Sequence, residues 1–316
     1  MNDLDPAPRE PEQNLPLAPE QAPPLDWQSA DEPTDLFQSW AQPEAVAPAR
    51  IPHLGHLCLL VALTLLGLLC ATLLLMMASH FHFLGDFSAK QATTNIRYML
   101  GEEAAIYLVT LALSLLVFPL FWEKSFFAGI HWSGATVFRI GWRLPAISLG
   151  CFALAALDET LLPGPSNAPI EEIFRTPGAA WIMFGFAVTL APFFEEIAFR
   201  GFLLPALATA CDWIAERFTG EPPRPLDLNS HPQWSIPAMV IASIATSLPF
   251  ALVHAEQQGH ALGPFLLLVA VSLVLCAVRL FTRSLACSVV VHACYNFLLF
   301  SLMLVGTGGF RHLEKM

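Results

Sequence analysis

Six stretches of the chain are apolar almost without interruption and long enough to cross roughly 30 Å of hydrocarbon: residues 57–79, 102–122, 140–158, 236–255, 262–281 and 284–305. A further apolar stretch, 179–218, runs to about forty residues, too long for one crossing at about 1.5 Å of rise per residue. Ala191-Pro192 is the natural place to divide it, because proline disfavours helix at the residue before it and fits the first turn of a new one. The pattern predicts an all-α polytopic membrane protein of about eight transmembrane helices. An even number of crossings puts both termini on one side.

Between the apolar runs, the segment 123–139 reads as interfacial, since Trp132 and the nearby Trp142 suit the headgroup layer. Residues 159–178 hold Glu159, Glu171 and Glu172 among four prolines and read as a solvated, turn-rich loop. Lysine and arginine are nearly balanced between the two sets of loops. Orientation therefore rests on the long leading segment, which is expected to stay in the cytoplasm.

Composition changes the picture at one place, the first fifty residues. The net charge is −11 over 316 residues, and residues 1–50 account for most of it, with ten acids against Arg9 and Arg50. Ten prolines and no apolar run accompany them, so 1–50 is expected to be a disordered acidic tail and not a signal peptide. The remainder divides into N-terminal helices and loops over 51–178, a core over 179–305 and a short tail over 306–316. Hydrophobic residues make up 55% of the chain and charged ones 13%, which excludes an ordinary soluble domain. No basic patch points to nucleic acid. The seven cysteines lack CxxC spacing and read as small apolar residues. An integral multi-pass protein is expected, in the plasma membrane if the source is bacterial.

Against that background the segment LAPFFEEIAFRGFLLPAL, residues 190–207, is anomalous, because each charge near a bilayer centre costs roughly 2.5–3.5 kcal/mol. Glu196 and Arg200 are spaced i,i+4 with the acid first, the favourable order for a pair on one helix face. Glu195 lies about 100° around the helix and is free to face a cavity as base or ligand. Phe250 and His254 share a face near the end of the next helix. If Glu195 starts one helix and His254 ends its antiparallel neighbour, both fall at the same depth. His292 and Asn296 share a face of the last helix, with His292 about eight residues in and therefore somewhat deeper. The remaining histidines singled out at helix ends, His53, His56, His80 and His82, read as wetted polar tips.

An acid, two histidines and an amide suit amide hydrolysis. A carboxylate with a histidine can activate water, and a histidine with an asparagine can donate to the oxyanion. The same residues permit zinc, with Glu195, His254 and His292 as ligands and water in the fourth position, although no HExxH is present. The metal-free arrangement is preferred, because an asparagine amide is a natural oxyanion donor and a poor zinc ligand.

These residues resemble the CPBP family of CAAX proteases and bacteriocin-processing enzymes, also called the Abi family, whose pattern is EExxxR, then FxxxH, then HxxxN or HxxxD. Here they stand as Glu195-Glu196 with Arg200, Phe250 with His254, and His292 with Asn296. The resemblance covers roughly 179–305. It implies an intramembrane endopeptidase with Glu195 as the catalytic glutamate, His254 as its partner, and His292 with Asn296 as the oxyanion site. The family has been described both as metalloproteases and as glutamic proteases, so both mechanisms stay open. The implied partner is a peptide or protein substrate, membrane-associated or lipidated, met within membrane lipid. Two other classes compete: a non-catalytic bacteriocin-immunity or scaffold protein, which has no need of all six polar positions, and a proton-coupled transporter, whose polar groups should step across the membrane instead of clustering at one depth.

Overall fold

A computed structural model describes residues 50–83, 95–162, 178–227 and 231–310. The acidic tail, most of the 159–178 loop and the chain from 311 lie outside these residues. The described chain is mainly helical. Helices α1 (Leu54–His80), α2 (Ile96–Trp122) and α5 (Arg143–Leu161) precede the core, with short α3 (Phe126–Gly129) and α4 (Gly134–Ile140) between the latter two. The run α6 (Ala179–Val188), α7 (Leu190–Glu196), a π-helical segment (Ile197–Leu203) and α8 (Leu204–Thr219) follows. Helices α9 (Ile236–Ala255), α10 (Leu262–Thr282) and α11 (Leu285–Gly306) complete the bundle.

Among the described residues, seven helical runs are long and apolar enough to cross a membrane. The difference from about eight lies in Ala179–Thr219, which is one continuous span. Its start, Gly178, lies beside Arg97 at the head of α2. Its later residue Phe202 packs on Phe118 and Trp122 at the foot of α2. The run therefore travels alongside α2 once and does not turn back. Pro192 falls within the first turn of α7, where its missing N–H is harmless. The break comes earlier, at Thr189 (φ −121°, ψ −73°), and is spliced by Phe193 N–H donating to Thr189 C=O at 3.4 Å and by the Thr189 hydroxyl donating to Gly185 C=O at 2.6 Å.

The odd count also separates the first and last described residues. Ile51 packs in the cluster around Trp122 at the foot of α2, whereas Phe310 packs on Trp181 near the start of α6. Residues 50 and 310 thus lie at opposite ends of the bundle, contrary to the expectation of a shared side.

The two larger of three buried clusters among the described residues hold most of the interior. Phe118, Trp122, Phe126, Ile130 and Phe202 knit α1, α2 and the π-helical segment together, while Leu144, Val271, Leu275, Val291 and Tyr295 join α5, α10 and α11. Leucines and phenylalanines outside them are widely exposed, Leu120 at 80% and Phe281 at 90%. That is the surface a bilayer covers, and the chain is an integral multi-pass membrane protein. Just after the 123–139 segment, Trp142 stands out from the surface as expected. Trp132 instead turns inward against Phe193, 5.5 Å between ring centres, and ties the short helices to α7. His53 and His56 are not merely wetted tips, because they form the capping box of α1.

Candidate active site

The charged residues of α7 take opposite environments. Glu196 and Arg200 are fully buried, with Arg200 Nη1 donating to Glu196 Oε1 at 2.8 Å. The other guanidinium nitrogen, Nη2, donates to the hydroxyl and the carbonyl of Ser272 on α10, at 2.6 and 3.1 Å. The face of Phe250 lies 4.5 Å from the guanidinium carbon. Such pairing is what a charge in low dielectric requires. One turn of chemistry is thereby turned into scaffold, since Arg200 fixes α7 to α9 and α10.

Glu195 keeps 17% of its side chain accessible and faces the other side. Its Oε1 stands 3.7 Å from His254 Nε2, and its Oε2 3.7 Å from His292 Nε2. These separations exceed a direct hydrogen bond and are the span that a bridging water or ion fills. Oε2 is buried with no hydrogen-bond partner among the described residues, a costly state unless something occupies that gap.

Both imidazoles are oriented from behind. His254 Nδ1 lies 2.8 Å from Phe250 C=O, and His292 Nδ1 lies 3.0 Å from Glu196 Oε1. Both partners accept, so each Nδ1 carries the proton and each Nε2 points towards Glu195. Phe250 therefore serves twice, its ring under Arg200 and its carbonyl behind His254. Glu196 also serves twice, accepting from Arg200 and from His292.

Asn296 lies one turn beyond His292 on α11, and its amide nitrogen donates to Ala187 C=O at 2.8 Å, just before the break at Thr189. One of its two N–H bonds is committed there; the second is free to donate. The structure thus brings Glu195, Glu196, Arg200, Phe250, His254 and His292 into one connected group. Asn296 adjoins it through α11 without bonding to the others.

The depth mismatch expected at His292 disappears. Glu195 lies sixteen residues past Ala179, inside a long span and not at a helix start, so it meets His292 well within the membrane. The π-helical segment follows at once, marked by Leu204 N–H donating to Phe199 C=O, five residues back. Pro205 withholds the N–H that an α-helix would offer to Gly201 C=O, a local reason for the wider turn.

Two residues that sequence reasoning passed over also face this group. On α2, Tyr107 donates to Glu103 at 2.9 Å and stacks on Phe194 at 4.8 Å, and Glu103 is near enough to interact electrostatically with Glu195 and His254. Their signal was available: Glu102-Glu103 is a second acidic pair inside an apolar run, with Tyr107 at i+4.

Zinc can be tested against these donors. Two Nε2 lone pairs and a carboxylate are the right kind of ligand, and tethered Nδ1 positions are usual behind metal-bound histidines. The spacing is wide: tetrahedral bonds of about 2.0–2.1 Å require ligand atoms roughly 3.3 Å apart, against 3.7 Å here. As placed, no three His, Cys, Asp or Glu among the described residues close on one ion position.

Residues 177–298 match the family described as type II CAAX prenyl endopeptidase, Rce1-like. All six motif residues and Asn296 fall inside the match, which agrees with the family that the motifs resemble. No curated protein and no solved structure matches the chain.

Proposed function

We propose, taking the match of residues 177–298 to the CAAX-type endopeptidase family as the premise, that this protein hydrolyses a peptide bond within the membrane by a glutamic mechanism without metal. The observation that carries the reading is the pair of 3.7 Å gaps between the two Glu195 oxygens and the Nε2 atoms of His254 and His292. A water held between Glu195 and His254 is positioned to attack the scissile carbonyl. Its proton passes to the Glu195–His254 pair, and its oxygen bonds to the carbonyl carbon. The oxyanion accepts from Asn296 through its second N–H and from His292, which must then carry a proton on Nε2 because Nδ1–H is already given to Glu196. Collapse breaks the C–N bond as the pair returns the proton to the leaving amine. Glu196, Arg200 and Phe250 position these groups without touching substrate.

Zinc is the second reading, favoured by the two tethered Nδ1 atoms. Glu195, His254 and His292 would hold the ion, which would supply an activated water and polarise the carbonyl. The substrate we assign is a membrane-associated or lipidated peptide or protein, with the N-terminal tail in the cytoplasm and, in a bacterial source, the plasma membrane as location. Proteomic comparison of membranes carrying the wild type and Glu195→Ala tests the activity: new protein termini that depend on Glu195 are expected, and their absence would leave a scaffold. Elemental analysis of active protein separates the mechanisms. Activity without zinc supports the glutamic one; near-stoichiometric zinc, lost and restored together with activity, overturns it.

A further inference from the structure

A cavity of about 760 Å³ opens at the other end of α9, between its first turns, the last turns of α10 and the segments around His131 and His231. It is remote from the hydrolytic group: His254 stands eighteen residues beyond Ile236 on α9, roughly 27 Å of helix. Its walls are apolar, with Met239, Val240 and Ile244 from α9 and Leu273 and Leu280 from α10. Val240 and Ile244 are half exposed on the lipid-facing surface, so the cavity opens sideways into the bilayer. Trp234, just before α9, lines its mouth, a residue type suited to the headgroup layer.

A buried cation lines this apolar space. Arg279 is 3% exposed, and among the described residues no carboxylate lies within ion-pairing distance of it. Its Nη2 donates to His131 Nδ1 at 3.0 Å, and its Nε has no partner. Arginine cannot accept, so His131 is the acceptor and bears its own proton on Nε2. Burial, reinforced by Arg279, pushes the His131 pKa down to about 2, so this histidine contributes a donor and no charge. The ring of His231 lies 4.2 Å from that of His131, tilted by 59°, and its pKa is likewise lowered by burial. Near the mouth, Arg283 is bound by Asp227 at 2.7 Å, which also lies 3.8 Å from His231. Lys124 adds a positive potential at both histidines. Among the described residues Asp227 is the acid placed at this mouth, and it is already matched by Arg283, which leaves the charge of Arg279 in excess.

We infer that this cavity binds an anionic phospholipid, its phosphate on Arg279 and the histidine N–H groups and one acyl chain along Met239, Val240 and Ile244. A buried guanidinium without a carboxylate is the complement of a phosphate, and the sideways opening is the complement of a chain. Charge and shape come from different elements and agree on the same ligand. The inference is independent of how the hydrolytic site works.

Native mass spectrometry of the full-length protein, equilibrated with phosphatidylglycerol or phosphatidylcholine of identical chains, tests it. One phosphatidylglycerol should be retained in preference, and Arg279→Gln should weaken that retention by about fivefold, the factor expected for one headgroup cation. Val240→Trp, at a half-exposed position on the cavity wall, should weaken it by obstructing the chain and decides the matter if Arg279→Gln fails to fold. Equal retention of the two lipids by the wild type would overturn the inference. So would undiminished retention in folded Val240→Trp protein, or displacement by millimolar inorganic phosphate alone, which marks a free-anion site.

Discussion

Among the described residues two arginines are buried, and they are treated in opposite ways. Arg200 has a carboxylate, a hydroxyl, a carbonyl and an aromatic face around it. Arg279 has one neutral histidine and an open cavity. A charge in low dielectric needs compensation from somewhere. Where the chain itself supplies it, the arginine has become structure, and what it frees is the neighbouring Glu195. Where the chain withholds it, the compensation must come from a ligand.

Five experiments act on that contrast, from the largest effect downward. Glu195→Gln should lower turnover by about 10²–10⁴-fold while the protein stays folded, read by substrate cleavage alongside thermal unfolding in detergent. A mild loss would mean that the exposed member of the acid pair is not the reacting one. Arg200→Ala should destabilise by about 3–5 kcal/mol, because Glu196 is left buried and unpaired, and should lose activity with the scaffold. Asn296→Ala should lower turnover by about 10²–10³-fold with little effect on substrate binding, the signature of a lost oxyanion donor. Arg279→Met, measured in phosphatidylcholine alone, should cost no more than about 1 kcal/mol, since only the donor to neutral His131 is lost and no carboxylate is orphaned. A drop as large as that for Arg200→Ala would erase the contrast. Deleting residues 1–45 should leave both sites intact, read as unchanged proteolysis and lipid retention.

The sequence carried more of the Glu195 end of the bundle than of the Arg279 end. Charges inside apolar runs announced Glu195, Glu196, Arg200, His254 and His292, because membrane burial makes polar residues conspicuous. Spacing at i,i+4 assigned the Glu196–Arg200 pair correctly. The second duty of Glu196, holding His292 ninety-six positions away, is a tertiary fact with no local signature. Arg279 was hidden for the converse reason. One turn from a helix end, it reads as an ordinary interfacial cation, and its burial depends on how the His131 segment folds over it. That segment is bolted to the start of α11 by paired bonds between Ser133 and Ser284 and by Leu285 N–H donating to His131 C=O. The count of about eight is close to the seven spans described, and the one difference arises at Pro192, because proline is compatible both with a new helix and with the first turn after a splice.

The wide turn over Ile197–Leu203 has a bearing on how this chain tolerates change in length. A π-helical turn amounts to about one residue more than an α-helix would place there. Gly201 within it packs so closely under Leu285 that a methyl group would meet that side chain at 3.3 Å. Removing one residue from the segment lets the backbone relapse into regular α-helix with its flanks close to their present phase, whereas keeping all seven residues and winding them as α-helix would rotate everything after them by roughly 100° relative to everything before. In the latter case Glu195 and Glu196 would keep their places while Leu204–Thr219 swung to a new face and Asp212 lost its bonds to the backbone and hydroxyl of Ser235. The segment is in effect a one-residue spacer, and the two halves of the long span are phased against each other by its length.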